Sequence, residues 1–168
     1  MHKVFLGVSV PVGNDLKKLS QNIQHLLMEI GEKMVAFHLH LKTRGTPWEV
    51  YSNLGEVGCD LLLINRQSAE RIRVEVKTRQ RLYTTGKHRN QVQFTVTETE
   101  YNHCDFVIGY WLERNEFFVI PRDALVPTSS KGKRLYKFVV QVKRNGKVSG
   151  QAKEFLNQWD LVTDRINP

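Results

Sequence analysis

Residues 58–80 read "GCDLLLINRQSAERIRVEVKTRQ". The run "DLLLI" is continuously apolar and of strand length, the pattern of a strand buried on both faces. "NRQSAE" is turn material. "RIRVEVKT" alternates polar and apolar with period two and predicts a second strand. A turn centred between Gln67 and Ser68 sets Ile64 opposite Arg71, Leu62 opposite Arg73 and Asp60 opposite Glu75. Directly opposite residues share a face, with Cβ atoms about 4.5–5.5 Å apart. Lys77 lies two residues beyond Glu75 and shares that face. The hairpin thus gathers two carboxylates and an ammonium, provided that no bulge shifts the register.

Carboxylates this close repel, and both do not stay ionised without a positive partner. A hard divalent cation such as Mg²⁺ takes carboxylate oxygens and keeps waters of its own. Such a site stabilises charge on a phosphodiester and generates a nucleophile near neutral pH. The plainer alternative is a Glu75–Lys77 ion pair on a strand, with Asp60 capping the loop before it.

The 168 residues are 40% hydrophobic, which suits one globular domain over 1–168, with a core at about 15–125 and an extension at 126–168. No run approaches the roughly 18 apolar residues of a membrane span, so no membrane partner is expected. "MHKVFLGVSVPVGND" alternates, with Val4, Leu6, Val8 and Val10 on one face, and reads as a strand at a mature N-terminus. A helix follows, capped by Asn14 or Asp15. Its apolar residues are Leu16, Leu19, Ile23, Leu26, Leu27, Ile30, Met34, Phe37 and Leu41, with Gly31 a point of division and Gly45 its close.

"TPWEVYS" predicts a short strand ahead of the quoted hairpin, and residues 79–91 an exposed loop. Thr97 and Glu100 form a capping box that opens a short helix. "DFVIGYWLE" reads as a buried strand that turns at "RN" into an antiparallel partner, "EFFVIP". A basic strand "YKFVVQVK", a turn at Asn145-Gly146 and an amphipathic segment with Ala152, Phe155, Leu156 and Trp159 complete the chain.

The net charge is +8, and residues 124–153 hold Lys131, Lys133, Arg134, Lys137, Lys143, Arg144 and Lys147 without any Asp or Glu. That balance favours polyanions through counterion release and steering. In and just beyond the loop, Arg79, Arg81, Lys87 and Arg89 can track phosphates, Tyr83 can stack, and Gln93 can reach the site. Each also reads as an ordinary solvated residue. The two cysteines, Cys59 and Cys104, have no framework spacing and fit a reducing compartment. Zinc needs about four ligands, and Cys59, His103 and Cys104 make three at most.

"GCD…VEVKT", following a helix and a short strand, resembles the PD-(D/E)XK nuclease superfamily. "YNHCDFVIGYW", "EFFVIP" and "QWDLV" resemble its small stand-alone prokaryotic endonucleases and resolvases. The resemblance implies an α/β, restriction-endonuclease-like fold: an αβββαβ core with a central mixed sheet flanked by helices, here extended by a basic C-terminal β-hairpin and a short helix. It implies a metal-dependent endonuclease hydrolysing DNA. Mg²⁺ or Mn²⁺ would bind Asp60, Glu75 and the backbone carbonyl of Val76, and Lys77 would position or activate the attacking water.

The superfamily often adds a carboxylate from the first helix, and the match is Glu32, on a helix face with Met28, Ala36 and Leu39. Cys59 stands where the family name has proline, and no Gln-containing exonuclease motif follows the site. The expected partner is double-stranded or branched DNA, in a homodimer or larger homo-oligomer, in a prokaryotic cytoplasm. Two other classes stay open. One is a nuclease-fold module that binds nucleic acid without cutting; the other is a small-molecule enzyme or structural domain with incidental charges.

Overall fold

A computed structural model describes residues 20–53, 58–82 and 88–166. The expected first strand, the Asn14 or Asp15 cap, and Leu16 and Leu19 lie outside these residues, as do Tyr83 and Lys87 of the loop.

Helix α1, Gln21–Thr43, starts at Ser20, whose side chain accepts the Ile23 N–H, and ends before Gly45 at a φ of 79°. Gly31 does not divide it. A Cβ there would stand 1.7 Å from Thr78 Oγ1, so the glycine sets how closely the helix lies on the sheet. The buried stripe is Gly31, Val35, Leu39 and Thr43. This differs from the expected stripe: among the described residues, Ile23, Leu26, Phe37 and Leu41 are exposed. The helix has more apolar positions than one contact can cover. Helical period alone places two stripes, and the glycine selects which one meets the sheet.

The strands β1 (Trp48–Ser52), β2 (Leu61–Asn65) and β3 (Arg71–Arg79) run antiparallel in sequence, as expected. β4 (Gln91–Thr97) leads into α2 (Glu98–His103). Then β5 (Phe106–Trp111) lies parallel to β3, and β6 (Glu116–Pro121) returns antiparallel. The first sheet is therefore mixed, in the order β1-β2-β3-β5-β6.

The region 126–168 does more than add a hairpin. β7 (Val126–Ser130), β8 (Lys133–Val142) and β9 (Val148–Ser149) follow, and β8 pairs along its length with β4. The Asn145-Gly146 turn forms, but it joins β8 only to the two-residue β9. The terminal amphipathic segment is a short 3₁₀ stretch followed by α3 (Asp160–Ile166).

The mixed sheet has an apolar layer on each face. Val74, Val76, Ile108, Tyr110 and Val119 pack with Val35, Leu39, Trp159 and Val162 of α1 and the C-terminal segment. Val107, Trp111, Phe118 and Ile120 pack with Val92, Phe94, Phe138 and Val140 of the second sheet. Gly109 makes the second contact possible: a Cβ there would meet the Phe94 ring at 2.5 Å. Because β3 alternates, Val74, Val76 and Thr78 face α1 while Glu75 and Lys77 face α2 and the second sheet.

Candidate active site

The β2–β3 register is the one the turn predicts, with Leu62 opposite Arg73 and Ile64 opposite Arg71. The Asn65 side chain builds the turn by accepting the Gln67 and Ser68 N–H groups at 2.8 and 3.2 Å. Paired residues stop at Leu61 and Val74, one step short of the expected Asp60–Glu75 pair. The Asp60 N–H donates to the Val74 carbonyl at 2.9 Å, and its Oδ2 accepts the Val76 N–H at 2.7 Å. Had the register continued, Cys59 would face Val76. Instead the Cys59 carbonyl accepts from Asn53 Nδ2 at 2.9 Å. The pairing ends before the expected Asp60–Glu75 pair, and the Val76 N–H is taken by the Asp60 carboxylate instead.

On a strand, the N–H and C=O of one residue point to the same side. The Val76 carbonyl therefore faces the edge that β2 leaves and Asp60 occupies. Glu75, only 4% exposed, lies beside Val107 of β5. Lys77 Nζ contacts Glu75 Oε1 and donates to Glu100 Oε1 at 3.0 Å. Glu100 is absent from the site residues expected from sequence. Its capping box was legible, and Thr97 and Glu100 bond reciprocally as that motif requires. Nothing local in the sequence pairs it with a lysine 23 positions away.

Burial pushes Glu75 up to about 7; the Lys77 ammonium opposes this and Asp60 adds to it. Burial also raises Asp60, against the Val76 N–H and Lys77, which lower it. For Lys77, burial pulls downward, but Glu75 and Glu100 outweigh it and its pKa is raised. For Glu100, burial pushes upward and is overcome by Lys77 and the Thr97 N–H, leaving it lowered. Glu32 is half-buried and raised, first by burial and then by the charge of Asp60. Asp60 raises it and Lys77 lowers it, so the charges of the site reach Glu32 from across the α1 side.

Among the described residues, no three His, Cys, Asp or Glu side chains converge to hold a metal ion by themselves. Cys59 and Cys104 are both buried. The nearby donors Asp60, Glu75 and the Val76 carbonyl are hard oxygens. They fit Mg²⁺ or Mn²⁺, which take one or two carboxylates and keep several waters, and not a closed thiolate or imidazole cage.

The expected nucleic-acid contacts are spread out. Arg79 is half-buried and donates from Nε to the Gln93 carbonyl at 2.8 Å. Gln93 Nε2 donates to Gln91 Oε1 at 3.0 Å and lies 2.9 Å from His88 Nδ1. Arg81 and Arg89 are exposed. Arg89 also lines a groove of about 500 Å³ with Lys143 and Arg144, which the sequence marked only as part of a basic stretch.

The element order and the mixed sheet are those of a restriction-endonuclease-like fold. Among solved structures, the chain is similar to a bacterial homing endonuclease, I-Ssp6803I, at 19% identity and a TM-score of 0.56, covering 84% of this chain and 92% of that one. It is also similar to Hjc, a Holliday junction resolvase from the archaeal hyperthermophile Archaeoglobus fulgidus, at 13% identity and a TM-score of 0.46, over 76% and 93% of the two chains. No protein-family model matches the chain, and no curated protein does.

Proposed function

We propose that the chain is a metal-dependent endonuclease that hydrolyses DNA phosphodiester bonds, working as one nuclease-like domain. The supporting observation is the Asp60 carboxylate bound to the Val76 N–H beside buried Glu75, with Lys77 in contact with Glu75. The endonuclease fold of the similar structure is consistent with it. Asp60, Glu75 and the Val76 carbonyl would hold Mg²⁺ or Mn²⁺ directly, and Glu32 would add an outer carboxylate from the α1 side. When bound, the ion supplies Lewis-acid stabilisation of phosphate charge and a lowered pKa for water.

The chain's own residues do the rest. Lys77 keeps a positive charge at the Glu75 carboxylate, where it orients water and offsets the charge of an approaching phosphate. Arg81 and Arg89 offer exposed cations to the backbone, and Lys143 and Arg144 extend that surface. Tyr83, Lys87 and Gln93 belong to the same proposed interface, and Arg79 shapes it from beneath through its bond to Gln93. Cutting both strands of a duplex takes two sites, so this reading includes a homodimer or a larger assembly in a prokaryotic cytoplasm.

The test uses plasmid, branched and single-stranded DNA with Mg²⁺, Mn²⁺ or EDTA. Cleavage should need the metal and be lost in Asp60→Ala and Lys77→Ala. If those variants cut as wild type does, the site is wrong. Binding without cleavage on every substrate would instead favour a nucleic-acid-binding module.

A further inference from the structure

Glu100 makes more bonds than a helix cap requires. A capping box needs a carboxylate oxygen to accept the N-cap N–H, and Glu100 Oε2 does so from Thr97 at 2.6 Å. Its other oxygen, Oε1, points the opposite way and accepts Lys77 Nζ at 3.0 Å. Both side chains are largely enclosed, at 18% exposure for Lys77 and 25% for Glu100.

The anchor is held from outside the mixed sheet. Thr97 closes β4 opposite Leu135 of β8, and Tyr101, next to Glu100, stacks on Tyr136 with ring centroids 3.6 Å apart. The ammonium thus hangs between a carboxylate of the mixed sheet, Glu75, and one fixed to the second sheet, Glu100. A cation or water that takes Glu75 Oε1 competes with Lys77 for it. With Glu75 as its only partner, a long lysine side chain would swing free when displaced.

We infer that Glu100 is the positioning residue for Lys77, holding the ammonium over the site from the α2 side so that Glu75 oxygens can be given up to a ligand. The inference rests on the nuclease reading and assigns β4 and α2 a task in it.

Glu100→Gln separates capping from charge, because glutamine also serves in a capping box. The variant should stay folded with its helix cap intact and act on DNA with unchanged KM. Its kcat should fall about 10–100-fold, the usual loss when an outer partner that orients a site residue is removed. Added to Lys77→Ala, it should cost nothing further, since Glu100 acts through Lys77. A readout free of metal and DNA is the ¹⁵N-detected side-chain ammonium of Lys77 in EDTA. In a Glu75→Ala background, which removes the other partner, it should exchange slowly while Glu100 is present and vanish into solvent exchange in Glu75→Ala/Glu100→Gln.

Full kcat in Glu100→Gln, with Lys77→Ala inactive, overturns the positioning role and leaves the nuclease reading standing. A Lys77 ammonium signal as slow in Glu75→Ala/Glu100→Gln as in Glu75→Ala overturns it whether or not the protein cuts. Wild-type cleavage by Lys77→Ala overturns both.

Discussion

Glu75→Gln should stabilise the metal-free protein at pH 8 and leave it nearly unchanged at pH 4.5. Burial of Glu75 raises its pKa from 4.5 to about 7, and Lys77 offsets only part of that. Ionising it in the folded chain therefore costs about 3 kcal/mol more than in the unfolded chain. The side chain is 5% exposed, so solvent screening does not reduce the figure appreciably. The folded state holds this proton more tightly than the unfolded state. The stability it contributes is complete below pH 4.5, declines through the interval, and is gone above about pH 7.

Glutamine cannot ionise and should keep that stability at every pH. Urea unfolding in EDTA should show the variant and wild type together at pH 4.5, and the variant ahead by up to about 3 kcal/mol at pH 8. With m-values of about 1–3 kcal/mol per molar urea, the midpoints would separate by about 1 M or more. Mg²⁺ should narrow the gap by binding native wild type more tightly than the variant. A variant less stable than wild type at pH 8 would mean that the Glu75–Lys77 pair outweighs burial, and the electrostatic reasoning would fail. A gap independent of pH would sink it equally.

Gly31→Ala should destabilise the fold by about 1–3 kcal/mol, the usual cost of overpacking, despite the better helix propensity of alanine. The new Cβ would stand 1.7 Å from Thr78 Oγ1, and Thr78→Ala should recover part of the loss in a double-mutant cycle; a fully stable single variant refutes the contact. Lys143→Ala and Arg144→Ala should weaken DNA binding about equally for all sequences. Each should flatten the log–log salt dependence by about one phosphate contact, and an unchanged slope would remove the groove they share with Arg89 from the interface.

The parts of the fold legible in the sequence are those fixed by neighbours along the chain. The β2–β3 register follows from one turn, and the Thr97–Glu100 cap from two residues three apart. The parts that were not legible depend on what packs across the chain. "QVQFTVT" alternates, and Val92, Phe94 and Val96 are its buried positions, but its partner β8 begins at Lys133 and nothing local identifies it. The α1 stripe failed for the same reason: Gly31 selects it only because Thr78 sits opposite. Glu100 belongs to both groups. Its backbone-directed oxygen is a local motif, and its site-directed oxygen is a tertiary contact.

The end of the ladder at Asp60 links the two groups, because it explains why a hairpin this regular holds a carboxylate at its edge. In an uninterrupted ladder the Val76 N–H would donate to the Cys59 carbonyl, leaving no backbone donor to hold an acid at this edge. Asn53 instead takes the Cys59 carbonyl, and Asp60 takes the Val76 N–H. The substitution satisfies the buried donor and tethers a carboxylate where β2 ends. It also leaves the Val76 carbonyl directed at the same edge. Asn53→Ala should therefore act on the site and not only on the β1–β2 edge. Without its amide the Cys59 carbonyl loses the Asn53 donor, and the ladder can extend by one pair with Val76 as the new donor. Backbone amide exchange would then show Val76 protected and insensitive to Asp60→Ala, whereas in the wild-type background Asp60→Ala should expose it. Equal Val76 exchange in all four proteins would show that Asp60 does not substitute for the ladder.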